Sequence, residues 1–207
     1  MGAADIRSFA KNNSGLFAGT CGNNVFFSTN NGLSWNLNSF ALQGRCFTSL
    51  AVNGNNIFVG ITGGPVGTEG AYLSTNNGTN WTLTSLNNLF INVLAVSGNS
   101  IFAGTDNSGV YKSTDNGANW VQSGLNNRTI LSMATNGNNI YAGTLSYGLY
   151  ISSNNGANWV QTSINNMSVA SIAVSENRIF AGTTSNGVYY SSDNGANWIQ
   201  TSLDTVT

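Results

Sequence analysis

The chain has 207 residues, with 6 basic and 7 acidic side chains, no histidine, and charged residues making up 6% of the whole. So few scattered cations exclude the basic footprint that nucleic acid requires, and the lack of histidine removes the usual neutral-pH base. With 41% hydrophobic residues and abundant aromatics the chain is not disordered; no apolar run is long enough for a membrane-spanning helix, and the opening MGAADIRSF carries no signal-peptide core.

The predicted elements recur in chain order. Asp5–Lys11 reads as a first strand with LFAGT as its hairpin partner. The same pair returns at Arg45–Val52 with IFVGI, Ile91–Ser97 with IFAGT, Ile130–Thr135 with IYAGT, and Val169–Ser175 with IFAGT. A glycine-containing loop, a third strand, an octapeptide and a fourth strand complete each repeat. The fourth repeat shows this with GLYISS at Gly148–Ser153, the NNGAN turn, and WVQTS at Trp159–Ser163. Short runs rich in β-branched and aromatic residues, bounded by Asn/Gly clusters, are strands separated by turns. The octapeptide reads STNNGLSW at Ser28–Trp35, STNNGTNW at Ser74–Trp81, STDNGANW at Ser113–Trp120, SSNNGANW at Ser152–Trp159 and SSDNGANW at Ser191–Trp198. Its tryptophans are 46, 39, 39 and 39 residues apart, a period that marks a propeller-type array.

A four-stranded sheet that is apolar on both faces is stabilised only by stacking on neighbours. The predicted first strands have apolar residues on both faces. Small residues recur in them at matched places: Ser8, Ser49, Ser132 and Ser171, and two residues further on Ala10, Ala51, Ala134 and Ala173, with Ala95 in the third repeat. Such side chains suit innermost strands converging on a narrow axis. The expectation is an all-β, five-bladed β-propeller with four antiparallel strands per blade, one domain over 1–207, with blades at about 1–40, 41–86, 87–125, 126–164 and 165–207. Each repeat owns its four strands, so closure rests on face packing between the first and last blades. A segment of a longer array, or half of a two-chain ring, remains the rival.

The octapeptide has a physical logic. Asn30, Asn76, Asp115, Asn154 and Asp193, at its third position, can accept backbone N–H bonds across a turn. The following Asn-Gly step tolerates positive φ, and Trp35, Trp81, Trp120, Trp159 and Trp198 read as apolar plugs buried between sheets. The phrase resembles the Asp-box, or bacterial neuraminidase repeat, found between the third and fourth strands of propeller blades in sialidases, sortilin-type receptors and photosystem II assembly factors. The resemblance covers all five repeats. It implies architecture, because the Asp-box of those families is structural and faces away from the usual binding surface. Asn stands for Asp in three of the five copies, which suits a turn-capping role.

Sialidases of that family use an arginine triad, a tyrosine–glutamate pair and an acidic general acid. The arginines here are Arg7, Arg45, Arg128 and Arg178, with Arg178 expected on the opposite rim from Arg45 and Arg128. The acids expected on the loop-rich face are Glu69, Asp106 and Asp204. They assemble no carboxylate pair at glycosidase separation, and no nucleophile motif or metal-ligand spacing appears. The chain is read as non-enzymatic, without catalytic residues, metal or cofactor.

The loops after the fourth strands carry Arg45, Leu89, Arg128 and Met167 at matched positions, the last three preceded by the pairs Asn87–Asn88, Asn126–Asn127 and Asn165–Asn166. These pairs read either as a ring of amides for sugar hydroxyls or peptide backbone, or as turns that hand the chain to the next blade. Tyr147, Phe40 and Phe90 are candidate aromatic platforms. The second repeat holds seven extra residues within Thr62–Gly70, a loop that is either functional or neutral. Cys21 and Cys46, at the loop-rich rim of adjacent blades, are read either as a bridge or as two free thiols. The functional expectation is a monomeric binding or scaffold propeller for a glycan or protein ligand, extracellular or on the cell surface. The alternatives are a protein-interaction platform or a segment of a larger surface or assembly protein, and then a glycosidase-like enzyme.

Overall fold

Short apolar runs punctuated by Asn-Gly turns satisfy their backbone hydrogen bonds by pairing with the next run along the chain. The computed structural model describes residues 5–22, 24–37, 44–63 and 67–203, and among these there are twenty strands and no helix. Phe40, Asp204 and residues 64–66 of the long loop lie outside the described residues.

The strands β1 (Asp5–Asn12), β2 (Gly15–Cys21), β3 (Val25–Ser28) and β4 (Asn36–Leu37) form an antiparallel meander. So do β5 (Cys46–Asn53), β6 (Asn56–Thr62), β7 (Gly70–Ser74) and β8 (Thr82–Asn87). A single residue pair, Cys21 opposite Cys46, joins the two meanders into one eight-stranded sheet. Three four-stranded sheets follow, each in chain order. They contain β9 (Ile91–Ser97), β10 (Ser100–Thr105), β11 (Val110–Ser113) and β12 (Val121–Gly124); β13 (Ile130–Asn136), β14 (Asn139–Thr144), β15 (Gly148–Ser152) and β16 (Val160–Gln161); and β17 (Val169–Ser175), β18 (Arg178–Thr183), β19 (Val188–Ser191) and β20 (Ile199–Gln200). The chain divides into two compact units, Met1–Ala103 with Ser113–Val121 and Gly104–Lys112 with Gln122–Thr207.

Two local rules repeat. The first hairpin of the second, third and fourth meanders turns through Gly54, Gly98 and Gly137, at φ 61°, 55° and 58°; positive φ at the first central residue is what lets a two-residue loop match the strand twist. In the last meander Glu176 takes this conformation, at φ 56°. The first strands β1, β5, β13 and β17 each carry a register shift just before the matched serine, between Ile6 and Ser8, Phe47 and Ser49, Ile130 and Ser132, and Val169 and Ser171. Such a bulge re-aims the side chain that follows it. Ser8 Oγ thereby donates to Phe47 O and Ser132 Oγ to Val169 O, each reaching the next meander.

In the first compact unit the core is built on Phe17, Phe47, Ile57, Val59 and Ile61; in the second it is built on Tyr141, Leu149, Ile164, Val169 and Ile179. Full burial of one such aliphatic side chain contributes about 2 kcal/mol. Three sequence expectations need correction. The fourth strand of the fourth repeat is only Val160–Gln161: beyond it Thr162 N–H donates to Leu149 O while Leu149 N–H donates to Ile164 O, so the pairing with β15 loses its regular register. All five octapeptide tryptophans are half-buried instead of being core plugs. Finally, β1 and β17 are largely exposed, although first strands were expected to be packed on both faces.

Candidate functional site

The octapeptide is a closed hydrogen-bonding device. Its serine ends the third strand of each meander and is buried in all five copies. The hydroxyl donates to the Oδ1 of Asn30, Asn76, Asp115, Asn154 or Asp193 at 2.8–3.0 Å and accepts the N–H of the glycine four residues on at 2.8–2.9 Å. The same Oδ1 accepts a backbone N–H from Ser34, Asn80, Asn119, Asn158 or Asn197 at 2.9 Å. Asp115 and Asp193 accept a further bond from the Asn119 and Asn197 amides. The backbone N–H bonds above all, with these amides and the serine hydroxyls, hold both carboxyls at a pKa of about 2. The serine hydroxyl and the Oδ1 at the third position are thus engaged within the turn itself in all five copies.

Loops at the other end of the strands are less uniform. Thr20, Thr105, Thr144 and Thr183 close the second strand by donating to the carbonyl four residues on, at Asn24, Gly109, Gly148 and Gly187. The second repeat has Ile61 at this place, and its loop is the long one. Arg45 serves that loop: its Nη1 donates to Thr68 O at 3.0 Å and to the Tyr72 hydroxyl at 2.9 Å, while its Nε is buried without a partner. Glu69 caps the loop end by accepting the Gly67 and Thr68 N–H groups. Next to Arg45, Cys21 and Cys46 are disulfide-bonded, with Cα atoms 3.9 Å apart; direct pairing of the last residue of β2 with the first of β5 brings them together.

The asparagine pairs share one conformation. Asn88, Asn127 and Asn166 stand at φ 58°, 58° and 53°, the left-handed region that asparagine enters more readily than most residues. Asn88 N–H bonds to Glu69 O, and Arg128 N–H closes a turn on Leu125 O. Asn87 accepts the Asn88 amide, while Asn126 and Asn165 are exposed.

In the second compact unit two of the expected residues meet. The Arg128 guanidinium lies over the Tyr147 ring at 3.7 Å from its centroid, and Tyr147 is 44% exposed. The guanidinium makes no ion pair or hydrogen bond among the described residues. Beside it Thr129 gathers a network that sequence reasoning missed: its hydroxyl lies 2.8 Å from Asp106 Oδ1 and 3.0 Å from Asn107 Oδ1 and accepts the Asn107 N–H. Leu145 bonds through its N–H to Thr129 O and exposes its side chain. Ser168 repeats the role of Thr129 one repeat later, accepting the Ser146 N–H; that repetition of a hydroxyl just before the first strand was the available signal. A fixed cation, a carboxylate and an apolar flank therefore lie on neighbouring loops.

Three solved structures resemble the chain over nearly its whole length. The GH74 enzyme of Niastella koreensis matches 95% of it at 17% identity with a TM-score of 0.69. The extracellular domain of the one-component system BT4673 from B. thetaiotaomicron matches 97% at 18% identity and 0.71, and YCF48 bound to D1 peptide matches 95% at 18% identity and 0.69. All three are β-propeller proteins. The fold is of the β-propeller kind. The chain spans 30%, 29% and 68% of these three propellers, respectively. No family model matches the chain, and no curated protein does.

Proposed function

We propose that this chain is a five-bladed Asp-box propeller that binds a peptide segment of a protein partner, without catalysis, on the loops around Arg128 and Tyr147. Each four-stranded meander is one blade, and the self-contained octapeptide, set between third and fourth strands, is the Asp-box turn. The single observation that carries the binding reading is the exposed Arg128–Tyr147 stack, in which a planar cation is held rigid while its N–H donors remain unused. A preorganised guanidinium recognises carboxylates and backbone carbonyls at low entropic cost. Asp106, Asn126 and Asn127 supply complementary acceptors and donors on neighbouring loops, the pattern an extended peptide needs. YCF48, a fold neighbour, has its structure bound to D1 peptide. An extracellular or cell-surface setting agrees with the Cys21–Cys46 bond and with the extracellular domain among the fold neighbours.

Glycan binding is the second reading, favoured by the exposure of Tyr147, but Arg128 already covers one face of that ring and so removes half of its stacking surface. Selection from a displayed peptide library, run beside a glycan array, decides between them. The expected result is a family of peptide binders whose capture is lost in Arg128→Ala and reduced in Tyr147→Ala. Glycan signals that vanish in Arg128→Ala, with no peptide enriched, would overturn the peptide reading; peptide capture indifferent to Arg128 would overturn the site.

A further inference from the structure

Two grooves are built from the same positions of the repeat. The first, of about 270 Å³, lies between β7 and β8 of the second meander and the octapeptide of the third; Leu73, Thr84, Ser85 and Gly117 stand in its walls. The second, of about 370 Å³, lies between the end of the fourth meander and the octapeptide of the fifth, with Ile151, Thr162, Ser163 and Gly195 in its walls. Each residue of the second set follows its counterpart by 78 positions, two repeats of 39. Both walls of the first groove belong to the first compact unit, and both walls of the second to the second unit.

The meanders between them show what closes such a groove. Where Leu73 and Ile151 stand, the third repeat has Lys112, whose Nζ reaches the fourth octapeptide and donates to Asn155 O at 2.9 Å. The Trp159 indole N–H adds a bond to Ser123 O at 3.0 Å, and Ser123 holds the place of Ser85 and Ser163. Leu73 and Ile151 are shorter than lysine and carry no donor, so the space beside them stays open. What lines it is uncharged. Among the described residues the exposed side chains of Thr82, Ser163 and Asn194 make no hydrogen bond. Asn116 Oδ1 accepts the Asn53 amide at 3.2 Å, which leaves the Asn116 Nδ2 donors unused among the described residues.

We propose that the two grooves are equivalent sites for a neutral sugar ring, its C–H face against Leu73 or Ile151 and its hydroxyls on the asparagine amide and the threonine and serine hydroxyls. Taking a charge out of water is costly unless a partner charge meets it, and these walls hold none, which disfavours phosphates, carboxylates and amines. Sugar hydroxyls both donate and accept, so they match free amides and hydroxyls alike. The volumes sit at the small end of the roughly 300–1,000 Å³ of small-molecule pockets. A peptide strand added at the edge needs a regular strand to extend, whereas β16 pairs over only two residues. The grooves share no residue with the Arg128–Tyr147 stack. Two like sites on one chain let a polysaccharide or glycosylated surface be held by avidity although each site is weak.

Backbone-amide NMR of the 207-residue chain, titrated to millimolar levels with cellobiose, maltose, lactose and methyl α-mannoside, tests this. At least one of these sugars is expected to shift the amides of both Gly117–Ala118 and Gly195–Ala196, and glucuronate and glucosamine should bind there more weakly. Ile151→Lys should abolish the response at Gly195–Ala196 and keep that at Gly117–Ala118, and Leu73→Lys should do the reverse. Lysine is a side chain that this place in the repeat already holds, at Lys112. Should either lysine variant unfold, Ala196→Trp or Ala118→Trp, at an exposed position in the same wall, blocks the groove instead. No shift with any of the four sugars, a response at one groove alone, shifts confined to the loops of Arg128 and Tyr147, equal binding of the charged analogues, or a response that survives the blocking variants would each overturn the proposal.

Discussion

Tyr141 and Phe180 hold the same place in the second strand of successive meanders, yet the first ring is fully buried and the second is 38% exposed. The strand sequences IYAGT and IFAGT hardly differ. Burial here is conferred by the next sheet, so equal sequences carry unequal energies according to what covers them.

The neighbouring glycines make this measurable. A Cβ on Gly143 would stand 2.4 Å from Ser132 Oγ and 2.5 Å from the Val169 carbonyl of the next meander, which cannot move aside. On Gly182 the close neighbour is Ser171 Oγ at 2.4 Å, a hydroxyl free to rotate. Gly143→Ala is expected to cost about 1–3 kcal/mol, the range for overpacking, and Gly182→Ala less than about 1 kcal/mol. Urea titration of both variants checks the difference; equal costs would contradict it.

The tryptophans should prove less costly to remove than core aromatics. Because they are half-buried, Trp120→Ala is expected to cost about 2 kcal/mol, below the roughly 3–5 kcal/mol of a fully buried ring. The indoles also differ. Trp159 Nε1 donates to Ser123 O at 3.0 Å, whereas Trp120 Nε1 is buried without a partner. Replacement by Phe should therefore cost about 1 kcal/mol more at Trp159 than at Trp120, which thermal melts of the two Phe variants would resolve.

Acid should weaken two of the five octapeptide turns selectively. Asp115 and Asp193 have folded pKa values of about 2, below the ordinary aspartate value of 3.8, so the stabilisation they give is complete above about pH 4 and is lost as pH falls towards 2. Asn30, Asn76 and Asn154 do not titrate. In the double variant Asp115→Asn/Asp193→Asn the urea midpoint should fall less between pH 4 and 2 than in the wild type. An identical fall in both proteins would show that these carboxyls are not the acid-sensitive groups.

Reducing Cys21–Cys46, which spans 25 residues, should lower stability by about 3 kcal/mol through the freedom returned to the unfolded chain. Denaturant midpoints with and without reductant test this, with Cys21→Ser/Cys46→Ser as the reference; a reductant effect that persists in that variant would point elsewhere.

The periodic parts of the fold were legible in the residues. Repetition of a hydroxyl, an amide, Asn-Gly and Trp locates the turn, because each of those side chains bonds within eight residues of itself, and β-rich runs locate the strands. Burial of the first strands was not legible: Phe9 and Leu50 look alike in sequence, and only the presence of a covering sheet separates them. The Trp159 indole fell on the wrong side of the same limit, since its bond to Ser123 O depends on a loop from the preceding repeat. At the candidate site the residues Arg128 and Tyr147 could be named separately, but their stacking joins loops 19 positions apart in sequence, and the hydroxyl that recurs before the first strand, Thr129 and then Ser168, marks a position without naming Asp106 as its partner.

Members of a repeat array are held chiefly by contacts with their neighbours, and one can open when those contacts loosen. The covalent link between β2 and β5 changes this for the first two meanders, because it ties one to the other whatever their other contacts do. Amide exchange should thus show β1–β4 and β5–β8 opening as one unit in the oxidised protein and as two after reduction, so that a single sulfur–sulfur bond sets the size of the smallest piece that can come loose.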